Sequence, residues 1–512
     1  MLNYFYKCTQ AVRRFHLMNQ SENSHIKTKT FSLDLIPEGS DLDMKSERVS
    51  RRLPSGITSS MLYQDILRIA LPATVELMLS SLVSMMDMIM VGGLGTWAIS
   101  AVGLTTQPKF ILMTMSMSIN VGATALVAQA KGAGKQEKAR SYTRQALLLN
   151  LLLAILVSIT GFLFSRPMVR FMGAADEHIL NAGTAYLQIQ MASFLFFALT
   201  SVITAVLRGI GDSKTAMYYN SIANLVNIIL NYLLIGGKMG FPRLEVAGAS
   251  YATAISQIVA CFLAFFAIAK KSCYLHISLK DSFSPVSEDI REIMHIGLPA
   301  ALEQFMMRVG SMIFSKSVAS LGTLDFAAHQ ICMNIQSLTL MNGQVFSISA
   351  TSLMGQSLGK RRPDMAQAYT SRCRRAGMIV AIMLGISFIL FGRPLSSLYT
   401  NDEACIAICV EIFWIVAFIQ PFQSSQFIVS GALRGAGDTK FVAKLTFFTV
   451  MLLRPGLAIF AIRYLRWGLP GAWLAITTDQ VLRAGIIALR YRSGKWKEIC
   501  LTLNGTRSSS SI

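Results

Sequence analysis

From about residue 62 to residue 492 the chain alternates nearly uncharged apolar runs with short polar connections. Each run is about 20 residues long, the length a helix needs to cross a bilayer core. The pattern predicts an all-α membrane protein with twelve spans, at 66–90, 99–127, 145–164, 184–207, 216–236, 247–269, 293–316, 326–354, 376–393, 407–433, 441–462 and 469–489. The polar remainder suggests the boundaries. Residues 1–61 read as a disordered cytoplasmic extension, 270–292 as a cytoplasmic linker and 493–512 as a cytoplasmic tail. The opening "MLNYFY" is too short for a signal-peptide core.

The twelve runs are six written twice. A shift of 227 positions lays Leu71–Glu76 on Leu298–Glu303, Gln129 on Gln356 and Tyr142 on Tyr369. "LRGIGDSKT" from Leu207 returns as "LRGAGDTKF" from Leu433 with a one-residue slip. Because six is even, residues 62–269 and 293–492 start on the same membrane side and form parallel repeats. Such an arrangement predicts a cavity where the halves face each other, with alternating access if they rock.

Charge supplies the orientation. Of the chain's net +20, most lies in alternate connections: Lys131, Lys135, Lys138, Arg140 and Arg144 crowd one, and Lys360, Arg361, Arg362, Arg372, Arg374 and Arg375 its counterpart. By the positive-inside rule these face the cytoplasm, as do both termini. Interleaving of this kind argues against a nucleic-acid surface. The eight cysteines are scattered without zinc-site spacing, so no metal site is expected. Dispersed histidines and the absence of HExxH argue against a membrane-embedded enzyme.

The repeated string falls at the cytoplasmic exit of the fourth helix of each half. Arg208 and Arg434 suit a helix C-terminus, glycines permit the reversal, and Asp212 and Asp438 are placed to cap the next helix. A structural hairpin and an inner gate both fit.

Ionisable side chains at membrane depth are costly and therefore functional candidates. On the first helix Glu76, Ser80, Val83 and Asp87 share one stripe. The two acids stand about 16 Å apart along it, too far to touch. In the second half Glu303 is either a cavity acid or the ion-pair partner of a nearby base; Arg308 lies too far round the same helix. Arg454 is a buried base expected to neutralise an acid across its lobe. Asn334 and Gln423 are further candidates for the substrate cavity, with Glu76 and Glu303.

These features together resemble the MATE (multidrug and toxic compound extrusion) transporter family. The resemblance covers roughly residues 62–492. It rests on "LP" in each first helix, "VAQAKGAGK" and "MGQSLGKRR" after each second helix, and both "LRGxGD[ST]K" strings. It implies two V-shaped lobes and efflux of organic, mostly cationic, amphipathic compounds in exchange for a proton or a sodium ion, with no cofactor. The acid 15 residues after Pro72 is similar to first-helix patterns of bacterial members, including the DinF-like branch, where it takes part in cation coupling and the proline is a hinge. Tyr186, Asn227 and Thr253 match residues grouped with that acid. Asn231 stands where DinF-like relatives carry a second aspartate; an amide coordinates a cation but cannot bind or release a proton. That tilts the reading towards proton coupling through Asp87. A flippase for a lipid-linked or polyanionic substrate is the alternative, kept open by Lys109, Arg308 and Arg454. The expected setting is the cell (inner) membrane, as a monomer whose partners are the small organic substrate and the lipid bilayer, with no nucleic acid.

Overall fold

The computed structural model describes residues 31–40, 53–174, 176–278, 281 and 283–503. It comprises a small unit, Met1–Pro37, and a large one, Glu38–Ile512. In the small unit Ser32–Leu35 form one 3-10 turn, with the Asp34 carboxylate accepting from the Phe31 N–H at 3.1 Å. The rest of the predicted extension, 1–30 and 41–52, lies outside the described residues.

The described part of the large unit is mostly helical, and the predicted spans follow in order. They are α1 (Ser59–Gly92), α2 (Thr96–Gly132), α3 (Gln136–Leu163), α4 (Glu177–Ala192 and Phe194–Gly209), α5 (Ser213–Gly236) and α6 (Glu245–Ala269). Then come α7 (Ser287–Ala319), α8 (Thr323–Gly359), α9 (Pro363–Ser397), α10 (Glu403–Gly435), α11 (Thr439–Arg463) and α12 (Gly468–Arg492). This is the twelve-helix, two-repeat fold.

Several helices outrun their apolar runs. Hydropathy marks only the length inside lipid, whereas a helix continues until its end groups are capped. Thus α1 begins at Ser59, where Thr58 Oγ1 accepts from the Met61 N–H at 3.3 Å. The last residues of the expected extension therefore belong to α1. Nine spans pass a length-and-hydropathy test if the bent α4 counts as one; α5, α7 and α8 do not. In α5 the reason is a row of asparagines facing α1.

The repeat extends to backbone conformation. Gly95 and Gly322, 227 positions apart, both take φ +119 in the turns before α2 and α8, a region that side chains resist. Helix breaks have local causes. α4 bends by 48° at Ser193, whose hydroxyl donates to the Gln190 carbonyl. α9 leaves helical geometry at Phe391, just before Pro394, and a π-helical turn, Phe447–Leu453, precedes Pro455 in α11. α1 runs unbroken through the buried Pro72. Between halves, α2 packs against α7 and α8, and α1 against α8.

Candidate functional site

A cavity of about 820 Å³ is walled by α1, α2, α4, α5 and α6. The second half adds only Ser347, Ile348 and Thr351 of α8 and Arg434 of α10. The cavity thus lies where the halves face each other, with most of its wall supplied by the first half. The interior of the second half is already filled, by His329 packed among Phe314, Phe326 and Trp473 and by a buried charge cluster.

One wall is a ladder between two parallel helices. Glu76 accepts from Asn220 at 2.7 Å, Ser80 from Asn224 at 3.2 Å, and Asp87 from Asn231. Each pair is 144 residues apart, so α1 and α5 run side by side in register. Asparagines at 220, 224, 227 and 231 lie on one α5 stripe that mirrors the α1 stripe. Asn220 and Asn224 were not singled out from sequence, although this matched spacing was there to be read.

The Asp87 end of the ladder is rich in oxygen. Asn231 also donates to Asn227 Oδ1 at 3.0 Å, and Asn227 to Thr253 Oγ1 at 3.4 Å. Turned over, the Asn227 amide donates to the Asp87 carboxylate at 3.0 Å and accepts from the Thr253 N–H at 3.3 Å. Asn231 Oδ1 is buried with no donor among the described residues. Tyr186 stands on the same cavity wall, its carbonyl accepting from Ser250 at 2.8 Å. All five residues expected to bind the coupling cation therefore meet in one place. A carboxylate beside uncompensated amide and hydroxyl oxygens suits either a proton or a small hard cation. Lys109 of α2 faces the same cavity and interacts electrostatically with Asp87.

Nearer the basic end the cavity meets two repeat-related ion pairs. Arg208 pairs with Glu76 at 2.8 Å and Arg434 with Glu303 at 2.5 Å, all four side chains being largely buried. Glu303 is thus an ion-pair partner, and it is not part of the cavity wall. Neither are Asn334, which is exposed, or Gln423, which is buried within α10. Arg308 instead lies over the Phe110 ring at 4.8 Å. Arg454 does neutralise an acid, Asp479 of α12, which also binds Arg483 at 3.2 Å. Sequence reading passed over Asp479, a lone carboxylate in an apolar run. Asp212 caps α5 through the Thr215 N–H at 3.2 Å. Asp438 does not cap α11; Arg490 draws its carboxylate away at 2.8 Å, a charge-assisted bond stronger than a cap.

Below these pairs the halves clasp each other reciprocally. Gln129 Nε2 donates to the Gly435 carbonyl, and its repeat partner Gln356 to the Gly209 carbonyl, each at 2.9 Å. Ser352 reinforces the second bond at 2.9 Å, and Lys131 donates to the Ile210 carbonyl within the first half. The helix backbones touch here. A Cβ on Gly132 would fall 2.0 Å from the Gln356 carbonyl oxygen, and one on Gly359 2.0 Å from that of Gln129. The repeated "LRGxGD" turns therefore serve as acceptors for the opposite half, besides reversing the chain.

Comparison with known proteins agrees with this architecture. The MatE family model matches residues 72–233 and again 299–460, at the internal offset of 227. The chain is 28% identical to a probable multidrug resistance protein NorM of Thermotoga maritima over 85% of this chain and 93% of that one. It is 26% identical to multidrug resistance protein MdtK of Yersinia pestis, over 82% and 89%. Among solved structures, an outward-facing multidrug resistance MATE transporter superposes with a TM-score of 0.80 at 22% identity, covering 93% of this chain and all of that one. A Pyrococcus furiosus MOP-superfamily transporter, described as having a binding pocket of reversed polarity, gives 0.79 at 24%, over 87% and 97%. With a duplicated six-helix design matched twice by one family model, this chain belongs to the MatE family of multi-pass membrane transporters and is not an enzyme.

Proposed function

We propose that the protein exports amphipathic organic cations across the cell (inner) membrane in exchange for protons bound at Asp87, with both termini in the cytoplasm and a single copy as the working unit. The observation that carries this reading is the carboxylate of Asp87, held by Asn231 at the wall of a cavity large enough for a drug-sized compound. The multidrug names of the relatives point the same way.

In this reading the clasped basic end is the closed inner gate, and the cavity serves the outer side. A proton arriving from outside neutralises Asp87, the attraction for a bound cation falls, and the cation leaves. After the halves rock, Asp87 loses the proton inside and the next cation binds. A proton fits better than sodium because Asp87 is the lone carboxylate of the oxygen cluster among the described residues, a single negative charge that one proton neutralises, while its amide neighbours add no second charge to hold a metal cation. Pro72, at which α1 can bend without losing a backbone hydrogen bond from its own nitrogen, is assigned the hinge. A flippase is less well supported: Arg208 and Arg434 are each committed to a carboxylate and leave no open phosphate clamp in the cavity.

Proteoliposomes supplied with one gradient at a time test the assignment. Substrate accumulation is expected with a pH gradient in sodium-free buffer; accumulation only with a sodium gradient overturns proton coupling. Lys109→Gln removes a tethered competitor for Asp87, so binding of a permanent monocation such as tetraphenylphosphonium is expected to tighten about tenfold. Unchanged affinity would remove Lys109 from substrate selection.

A further inference from the structure

A second pocket, of about 480 Å³, opens at the basic end of the second half, away from the transport cavity. Its wall includes Arg372, Arg374 and Arg375 from α9 and Arg492 from the end of α12. Among the described residues no carboxylate pairs with any of the four. Asp364, also in the wall, is engaged by Arg362 at 2.7 Å. Arg372 is held in place, donating to Ser59 Oγ at 2.8 Å and to the Ala368 carbonyl at 3.1 Å. Thr370 and Tyr491 add hydroxyls to the same wall.

Four guanidinium groups round one concavity, with no carboxylate partner among the described residues, repel each other, and an anion with several oxygens relieves that repulsion. The neighbourhood says which anion. Arg375 continues along α9 at helical spacing into Ile379, Ile382, Ile386 and Leu390, which are 58%, 45%, 51% and 68% exposed. An apolar stripe of this kind on a spanning helix is its lipid-facing side. We infer that the pocket binds the phosphate head group of an anionic phospholipid, with the acyl chains laid along this stripe. Basic pockets between helix ends at the positively charged interface are suited to such head groups. The inference is independent of which ion drives transport.

Thermal unfolding of the purified full-length protein in detergent, titrated with lipid, tests it. Phosphatidylglycerol is expected to stabilise the protein and phosphatidylcholine to do so much less. Arg375→Gln is expected to weaken the apparent affinity for phosphatidylglycerol roughly fivefold, and the Arg374→Gln/Arg375→Gln pair further, as about fivefold per basic residue implies. Arg374→Lys/Arg375→Lys should keep most of the binding. Arg463→Gln, an equal loss of charge at the opposite end, should leave it intact. Unchanged affinity in Arg375→Gln, or an equal effect of Arg463→Gln, overturns the site. Stabilisation by inorganic pyrophosphate as strong as by phosphatidylglycerol overturns the lipid assignment.

Discussion

Asp87→Asn is expected to reduce pH-gradient-driven export to the level of protein-free liposomes while the purified protein keeps its unfolding temperature. The amide is isosteric and can keep a hydrogen bond with Asn231 by turning over, so the ladder to α5 persists. What disappears is the only carboxylate in that oxygen cluster among the described residues, and with it the group proposed to carry the exchanged proton. Glu76 cannot substitute, because Arg208 and Asn220 already occupy its oxygens. Transport in Asp87→Asn at the rate of the parent protein would place coupling elsewhere. Loss of folding would show Asp87 to be structural, an outcome separated from the first by the unfolding temperature.

The second large effect concerns the clasp. Gly132→Ala and Gly359→Ala each place a methyl group where only 2.0 Å separates its carbon from a carbonyl oxygen of the facing half. Because the obstacle is backbone, no side-chain rotation relieves it. Overpacking costs about 1–3 kcal/mol per site, a factor of about 5–150 in the balance between closed and open basic ends. Spin labels at Lys135 and Arg361, in a background free of the native cysteines, measure that balance. A short distance is expected with both glycines present and a shift to longer distances in either variant. An unchanged distribution in Gly132→Ala/Gly359→Ala would mean that these helices do not separate during the cycle.

Much of this architecture was legible before the coordinates. Span order and duplication follow from hydropathy and register, because lipid exposure imposes an apolar run that soluble neighbours cannot disguise. Of the residues expected to bind the coupling cation, Asp87 stands out by its charge at membrane depth and Tyr186, Asn227, Asn231 and Thr253 by resemblance, and the structure brings them together. The misses share a cause: sequence spacing reports which face of a helix a residue occupies but not which helix that face meets. Glu303 fits two readings in sequence because its partner, Arg434, lies 131 residues away. Asp438 reads as a cap until Arg490, from another helix, takes it. The cavity's displacement into the first half depends on side chains filling the second, among them Asp479 and Arg483. No periodicity announces that.

The most direct test of the central claim is a count of protons. Tetraphenylphosphonium is titrated into the purified protein in weakly buffered, sodium-free solution near neutral pH while released protons are measured. The account predicts release of up to about one proton per bound cation in the parent protein, repeated on back-titration, and none in Asp87→Asn. Equal release from both proteins, or binding of the cation without any release at any pH between about 5 and 8, would contradict it.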